Sequence, residues 1–286
     1  LAHELGAPVA VGRAIASTTE LASPGAREWS APMVEAVGLP PQWLPPLVDD
    51  VTVAGRVEGA GTAIVRPGGH DTACAVHALG LAPQETALFI SCGSWSLIGV
   101  ALPEPLLDPR ALKAGLTNEV RTDGGVRLLR NLTGLWLLQE CQRAWRDDDV
   151  VSLIRAADGT PSLGVVVDPD DGSFARPGDM PDKLARWCRE RYGRAPDGRA
   201  QTVRLILESL ACAHAACAEQ LTRLAGSRLG PTAPIHLIGG GARNRLLAQM
   251  TATACGREVI VGAAEASATG NLLAQLEALG ITRPED

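Results

Sequence analysis

One short segment places a carboxylate beside a histidine, directly after two glycines. It reads Gly68-Gly69-His70-Asp71-Thr72-Ala73. Glycines allow a backbone to approach a ligand closely, and the small residues after the acid permit a tightly packed helix start. The same pattern is also typical of an Asp that caps the following helix. Taken alone, the segment is either a ligand-binding corner or a structural cap.

A second segment combines a tight turn with hydroxyl groups. It reads Ser91-Cys92-Gly93-Ser94-Trp95-Ser96 and lies between two runs rich in β-branched and apolar residues. Such a hairpin can offer backbone N–H and side-chain O–H groups to a phosphate. An ordinary turn is the alternative.

Three consecutive glycines, Gly239, Gly240 and Gly241, stand between a predicted strand and a predicted helix, and Asn244 follows them. Glycines at the carboxyl end of a strand, before a helix, form a crevice that accepts an anion or a nucleotide. No Lys follows, so the segment is not a phosphate-cradling loop, and the glycines lack the spacing of a dinucleotide fingerprint. We expect a flat backbone surface against which adenine or ribose packs.

A fourth segment runs from Asn131 to Glu140 and contains Gly-Leu-Trp-Leu-Leu-Gln. Asn131 falls at a predicted strand-to-helix junction, where its amide could bind a sugar hydroxyl. Gln139 follows about two helical turns later. Taken alone, the segment is better explained by an Asn cap and an exposed Gln.

The elements around these segments predict an α/β protein. Residues 1–68 are irregular and rich in proline, whereas regular patterns follow residue 80. The predicted strands are 86–91, 95–100, 126–130, 234–238 and 258–261, and the predicted helices are 133–145, 181–191, 201–225, 243–255 and 265–279. Helix 201–225 carries a buried apolar stripe that includes His214, which we therefore interpret as a core histidine.

The composition excludes several classes of protein. The 286 residues are 46% hydrophobic and carry a formal net charge of −6, which argues against a nucleic-acid or anionic-membrane surface. The seven cysteines form no Cys-x-x-Cys pair, so we predict buried free thiols in a reducing cytoplasm and no metal ligands. No apolar run is long enough to cross a membrane, and no signal peptide is visible.

In this order and spacing, the four segments resemble the FGGY family of carbohydrate kinases. Three further stretches support the resemblance: Ala16-Ser17-Thr18-Thr19, Gly-Ser-Trp-Ser-Leu at 93–97, and Glu265-Ala266-Ser267-Ala268-Thr269-Gly270-Asn271. The resemblance covers nearly the whole chain.

The resemblance implies an actin-like ATPase fold, built from two ribonuclease-H-like domains with ATP and sugar bound in the cleft between them. Residues 1–80 would be the tail of the first domain, and residues 81–286 the complete second, nucleotide-binding domain. The family's N-terminal hairpin, which supplies the first phosphate contacts and the carboxylates for Mg²⁺, has no counterpart here. We therefore expect self-association through the face that the missing part would cover.

The resemblance also implies a role for each residue of the four segments. Asp71 takes the position of the catalytic base. Ser94 stands where the family usually has Thr and keeps the hydroxyl. The implied sugar contacts are His70, Thr72 and Asn131, and the implied ATP contacts are Gly93, Ser94, Gln139, Gly239, Gly240, Gly241 and Asn244.

The implied reaction is phosphorylation of the primary hydroxyl of a ketose, L-rhamnulose first of all, with ATP and Mg²⁺ in the cytoplasm. The expected partners are the ketose and ATP, without nucleic acid or membrane. Another ketose, such as fuculose or xylulose, is an alternative. So are a nucleotide-binding relative without transferase activity and a purely structural α/β domain.

Overall fold

The computed structural model describes residues 2–147 and 149–281, which form two compact units. The first unit contains the chain up to Ala87, the segment Val100–Leu129 and the chain from Glu265 onward. The second contains Leu88–Gly99 and Arg130–Ala264.

Short strands and helices of mixed length alternate along the chain. The strands are β1 Val11–Gly12, β2 Leu47–Val48, β3 Thr52–Arg56, β4 Ala63–Arg66, β5 Ala87–Cys92, β6 Trp95–Leu102, β7 Thr117–Val120, β8 Val126–Thr133, β9 Ile235–Ile238 and β10 Val259–Val261. The α-helices are α1 Arg13–Ala16, α2 Ala31–Ala36, α3 Asp71–His77, α4 Pro109–Lys113, α5 Trp136–Trp145, α6 Val150–Asp158, α7 Met180–Tyr192, α8 Gly198–Ala225, α9 Arg245–Cys255 and α10 Ala266–Ala278. Single 3₁₀ turns lie at Ser17–Thr19, Pro41–Trp43, Gly172–Phe174, Gly226–Arg228 and Gly240–Arg243.

Six strands form one sheet in the order β10-β9-β5-β6-β8-β7. In the second unit, β9 pairs in parallel with both β10 and β5, and Leu88 lies opposite Ile235. The side chains of Leu88, Phe89 and Ile90 are all fully buried. A continuous buried run is expected of a parallel strand that is covered on both faces. The mixed sheet confirms the predicted α/β class.

Helix α8 is the longest helix of the described chain, at 28 residues, and packs against α6 and α9. The predicted buried stripe is confirmed along it, except that Leu224 is only half-buried. His214 lies inside the stripe and has no exposed surface, as predicted. The described helices include none with the length and apolar character needed to cross a membrane.

Helices α5 and α6 illustrate how the structure differs from the predicted elements. Helix α5 begins at Trp136 rather than at residue 133, because β8 continues through Thr133 and Gly134 separates the two elements. Helix α6 has no counterpart among the predicted elements. Its start is marked by Asp149, whose carboxylate accepts a hydrogen bond from the Ser152 N–H at 3.0 Å, as an N-cap residue does.

In the first unit, α10 packs closely against α3 at a glycine. A Cβ atom added to Gly270 would lie 1.7 Å from the backbone oxygen of Cys74, so the two helices approach too closely for any side chain at this position. Gly270 belongs to the 265–271 stretch that supports the family resemblance. The presence of glycine at this place in the stretch therefore has a packing reason.

We predict that Gly270→Ala destabilises the protein, although alanine alone favours a helix by up to about 1 kcal/mol. The added methyl group must separate α10 from α3, and overpacking of this kind typically costs about 1–3 kcal/mol or more. Urea denaturation measures the free energy of unfolding. Thr269→Ala, one residue earlier on an exposed position, is the matched control and should be close to neutral. Equal stability of the two variants would contradict the close approach.

Candidate functional site

Asp71 is the first residue of α3, in the first unit. Its side chain is 82% exposed. One of its carboxylate oxygens, Oδ1, accepts hydrogen bonds from the N–H of Thr72 at 2.6 Å and from the Thr72 hydroxyl at 3.2 Å. The N-cap of the helix is His70 rather than Asp71. The Nδ1 atom of His70 accepts a hydrogen bond from the same Thr72 N–H at 3.1 Å. The carboxylate is thus held at the helix start and stays accessible.

A buried ion pair lies within electrostatic range of this corner. Arg127 on β8 faces Glu119 on β7 across the antiparallel register, and Nη2 donates to Oε2 at 3.0 Å. Arg127 is fully buried, and no described group accepts from its Nε or Nη1. Burial lowers the pKa of Arg127 to about 10, against the attraction of Glu119 and Asp71. Burial and the Arg127 cation also lower the pKa of His70, which favours a neutral ring.

The turn between β5 and β6, residues 92–95, is called the hairpin turn below; it belongs to the second unit. Helix α5 has no side-chain cap, so the N–H groups near its start need other acceptors. The hairpin turn supplies them. The Gly93 carbonyl accepts from Leu135 N–H at 2.8 Å, and the Ser94 carbonyl accepts from Gly134 and Trp136 at 3.0 and 3.2 Å. The turn and the helix start therefore form one hydrogen-bonded structure.

Glycines press against the hairpin turn from two segments of the chain. A Cβ at Gly134 would lie 2.5 Å from the backbone carbon of Trp95. A Cβ at Gly239 would lie 2.8 Å from the Cys92 oxygen, and one at Gly241 would lie 2.6 Å from the Cys92 sulfur. Gly239 also has φ +82°, which few other residues adopt. The second unit thus brings the predicted phosphate turn and the predicted adenosine turn into contact.

Asn244 closes the glycine turn and begins α9. Its Oδ1 accepts from Leu247 N–H at 3.0 Å, which makes it the N-cap of this helix. The side chain is buried, and its Nδ2 has no hydrogen-bond acceptor among the described residues. An unpaired buried donor is uncommon in a folded protein and marks this amide as a candidate ligand contact.

A cavity of about 670 Å³ opens beside the hairpin turn, within the second unit. Ser94 and Gln139, which the family resemblance predicts to be ATP contacts, both line this cavity. The full lining is Ser94, Trp95, Thr133, Trp136, Gln139, Arg143, Pro169, Asp170, Asp171, Phe174 and Ala175. The volume is in the range typical of small-molecule sites. The glycines at 239–241 are not among the lining residues, so they contact the turn without bounding this cavity.

Sequence reasoning missed one wall of this cavity, formed by residues 169–175. Asp170 fixes the wall to the end of β8, because its Oδ1 accepts from Thr133 N–H at 2.7 Å. Asp171 accepts from the Trp187 indole at 2.9 Å, and its bonds to Ser173 and Trp187 lower its pKa to about 2. The sequence of this segment, rich in Asp, Gly and Pro, predicts only a loop. No local signal indicated that it would line a cavity.

Asn131 lies inside β8 and not at a strand-to-helix junction, because the strand continues for two more residues. It is exposed, and it belongs to the second unit. An exposed amide in a strand is free of any capping role, so the structure removes the alternative of an Asn cap. Gln139 is likewise exposed, on α5. Both side chains are accessible to a ligand.

The metal-ligating side chains of the described residues do not come together. No group of three or more His, Cys, Asp or Glu residues within 2–147 and 149–281 could hold a metal ion. Asp71 is a single carboxylate beside a histidine. These described residues therefore do not form a metal site by themselves.

Comparison with known families identifies most of the chain. Residues 88–279 match the model of the C-terminal domain of the FGGY family of carbohydrate kinases. The match begins at the same residue as the second unit and includes the hairpin turn, the cavity and the glycine turn.

Two curated relatives are similar over nearly all of the chain. Rhamnulokinase from Bacteroides thetaiotaomicron is 35% identical over 277 residues, which cover 93% of this chain and 56% of that protein. Rhamnulokinase from Pectobacterium carotovorum is 36% identical over 270 residues, covering 93% and 53%. The chain thus spans about half the length of the curated relatives that it matches.

Solved structures show the same fold. Plasmodium falciparum glycerol kinase with ADP has a TM-score of 0.69 at 16% identity and covers 96% of this chain and 56% of its own. A ligand-bound xylulose kinase from Lactobacillus acidophilus has a TM-score of 0.67 at 12% identity, covering 96% and 56%. The expected actin-like fold of the sugar kinases is confirmed.

Proposed function

We propose, because the chain belongs to the FGGY family of carbohydrate kinases, that it supplies the nucleotide-binding part and the catalytic base of a ketose kinase. The observation that carries the proposal is the structure around the hairpin turn. There, Ser94 and Gln139 share one cavity, and the glycine turn contacts the same backbone. In the proposed division, residues 1–80 are the tail of the family's first domain and residues 81–286 are the second.

The proposed ATP site uses the groups that the hairpin turn leaves accessible. The Gly93 N–H already donates to the Trp95 carbonyl at 2.7 Å, so Gly93 contributes mainly a close backbone approach. The exposed Ser94 hydroxyl is the proposed phosphate donor. Gln139 and Asn244 are proposed to bind the nucleoside, with Gly239, Gly240 and Gly241 giving it a flat surface.

In the proposed reaction, Asp71 accepts the proton of the ketose's primary hydroxyl. The hydroxyl oxygen forms a bond to the γ-phosphorus of ATP, and the bond between that phosphorus and the bridging oxygen breaks, which releases ADP. A carboxylate is a strong enough base, because the alcohol becomes acidic only as the bond to phosphorus forms. Most of the remaining rate enhancement comes from positioning and from neutralising phosphate charge.

The proposed sugar contacts are His70, Thr72 and Asn131. The neutral ring of His70 accepts at Nδ1 from the Thr72 N–H, so the proton is on Nε2, which can donate to a sugar oxygen. Phosphoryl transfer from ATP in this family needs a metal ion, and we propose Mg²⁺, which would neutralise phosphate charge. All seven cysteines are free thiols, in keeping with the proposed cytoplasmic location, but Cys212 is exposed and Cys255 is half-buried, so the prediction that all are buried is wrong for these two.

We predict that Asp71→Asn abolishes phosphorylation but leaves nucleotide binding nearly intact. An amide keeps the shape of the side chain and cannot accept the proton, and loss of a general base typically costs about 10²–10⁴-fold in rate. Turnover is measured by coupled ADP release on the protein as its gene encodes it, and ADP affinity by calorimetry. Glu58→Gln, which removes one charge from an exposed turn of the first unit, is the control. Substantial turnover in Asp71→Asn would remove Asp71 from the role.

We predict that L-rhamnulose is the preferred sugar, since the curated relatives at about 35% identity are rhamnulokinases. Values of kcat/KM across L-rhamnulose, fuculose and xylulose, at saturating ATP, provide the measurement. The highest value should belong to L-rhamnulose. A higher value for either of the other two ketoses would contradict this choice of substrate while leaving the kinase chemistry in place.

A further inference from the structure

A chain of buried hydrogen bonds runs from the base of the hairpin turn to α9, entirely within the second unit. The Ser96 hydroxyl lies 2.7 Å from Nε2 of His214, and Nδ1 of the same ring lies 3.3 Å from the Thr251 hydroxyl. Ser96, His214 and Thr251 have no exposed surface. None of these three side chains lines the cavity beside the hairpin turn.

The three groups match one another chemically. Burial lowers the pKa of His214 to about 4, so the ring is neutral near pH 7. A neutral imidazole has one N–H donor and one acceptor nitrogen, and a hydroxyl can serve as either partner. Both ring nitrogens are therefore satisfied without a charge in the core. A buried ring with one partner missing would be destabilised by about 1–3 kcal/mol.

The two ends of this chain lie beside the two parts of the proposed nucleotide site. Ser96 lies on β6, two residues after Ser94 of the hairpin turn. Thr251 is on α9, the helix that begins at the glycine turn. His214 projects from α8 and connects the two, so displacement of either end breaks a buried hydrogen bond.

An apolar side chain in place of His214 would fill this part of the core without needing hydrogen-bond partners. Hydrophobic contacts tolerate small shifts, whereas hydrogen bonds fix distance and direction. A histidine between two hydroxyls is thus suited to hold a precise arrangement rather than to add stability.

We propose that His214 is a positioning residue that fixes the hairpin turn relative to the glycine turn, so that both ends of a bound nucleotide meet preformed contacts. This inference rests on the proposed function. It adds to the site a residue that touches neither the nucleotide nor the sugar.

The variants separate the hydrogen bond from the packing. Ser96→Ala removes one hydroxyl, and His214→Asn keeps a polar group near Nδ1 but leaves Ser96 without its partner. His214→Gln places an amide near Nε2 and should restore that bond. Thr251→Val removes the other hydroxyl at constant shape. Ser209→Ala is the matched control, because this buried α8 hydroxyl bonds Leu205 O and Val167 N, away from the hairpin turn.

The first measurement is hydrogen–deuterium exchange of residues 92–96 in the full chain without nucleotide. Ser96→Ala and His214→Asn should exchange about tenfold faster there, and Thr251→Val should show a smaller increase. His214→Gln and Ser209→Ala should resemble the wild type. The second measurement is the Kd for ADP. It should rise about tenfold in Ser96→Ala and His214→Asn, and less than about threefold in His214→Gln and Ser209→Ala.

The outcomes distinguish this inference from the proposed function. Unchanged exchange at residues 92–96 in Ser96→Ala and His214→Asn would overturn the positioning role, even if the wild type binds ADP. An equal loss of ADP affinity in Ser209→Ala would also overturn it, because general destabilisation would then explain the effect. If the variants differ from the wild type in exchange as expected, but the wild type does not bind ADP, the proposed function is overturned. The purpose assigned to His214 is then overturned with it.

Discussion

The second unit depends on backbone contacts at one hairpin turn. Two carbonyls of this turn accept hydrogen bonds from the uncapped start of α5, and glycines at 134, 239 and 241 allow three segments to meet there. Because most of these contacts are made by backbone atoms, the position of the turn is set by the fold itself. Side chains such as Ser94 and Gln139 are then free to face a ligand. Positioning by close backbone contacts explains why glycines cluster where the sequence suggests nucleotide chemistry.

The charged and titratable groups of the two units differ in their surroundings. In the second, the cavity wall is held by short hydrogen bonds to Asp170 and Asp171, and the buried His214 stays neutral. In the first, the exposed carboxylate of Asp71 lies within range of a fully buried Arg127 that has a single carboxylate partner. A buried cation with unpaired N–H groups is costly to stability. The Asp71 corner therefore lies within range of a buried positive charge that Glu119 satisfies only in part.

Much of this arrangement could be predicted from the sequence, since local patterns encode it. The stripe of α8 follows helical periodicity, and the order of the Gly- and Ser-containing segments indicates the family. Three features could not be predicted. The cap of α5 consists of carbonyls 40 or more residues away along the chain, the cavity wall at 169–175 lacks a periodic pattern, and β8 continues two residues past Asn131 before Gly134 ends it. Each depends on tertiary contacts that a local pattern does not record.

The central claim is that the hairpin turn and the glycine turn together hold a nucleotide. A crystal structure of the protein with ADP tests it most directly. The account predicts phosphate oxygens within hydrogen-bond distance of the Ser94 hydroxyl, and the adenosine against Gly239–Gly241 with Gln139 and Asn244 beside it. ADP bound at another place, with neither turn in contact with it, would contradict the account.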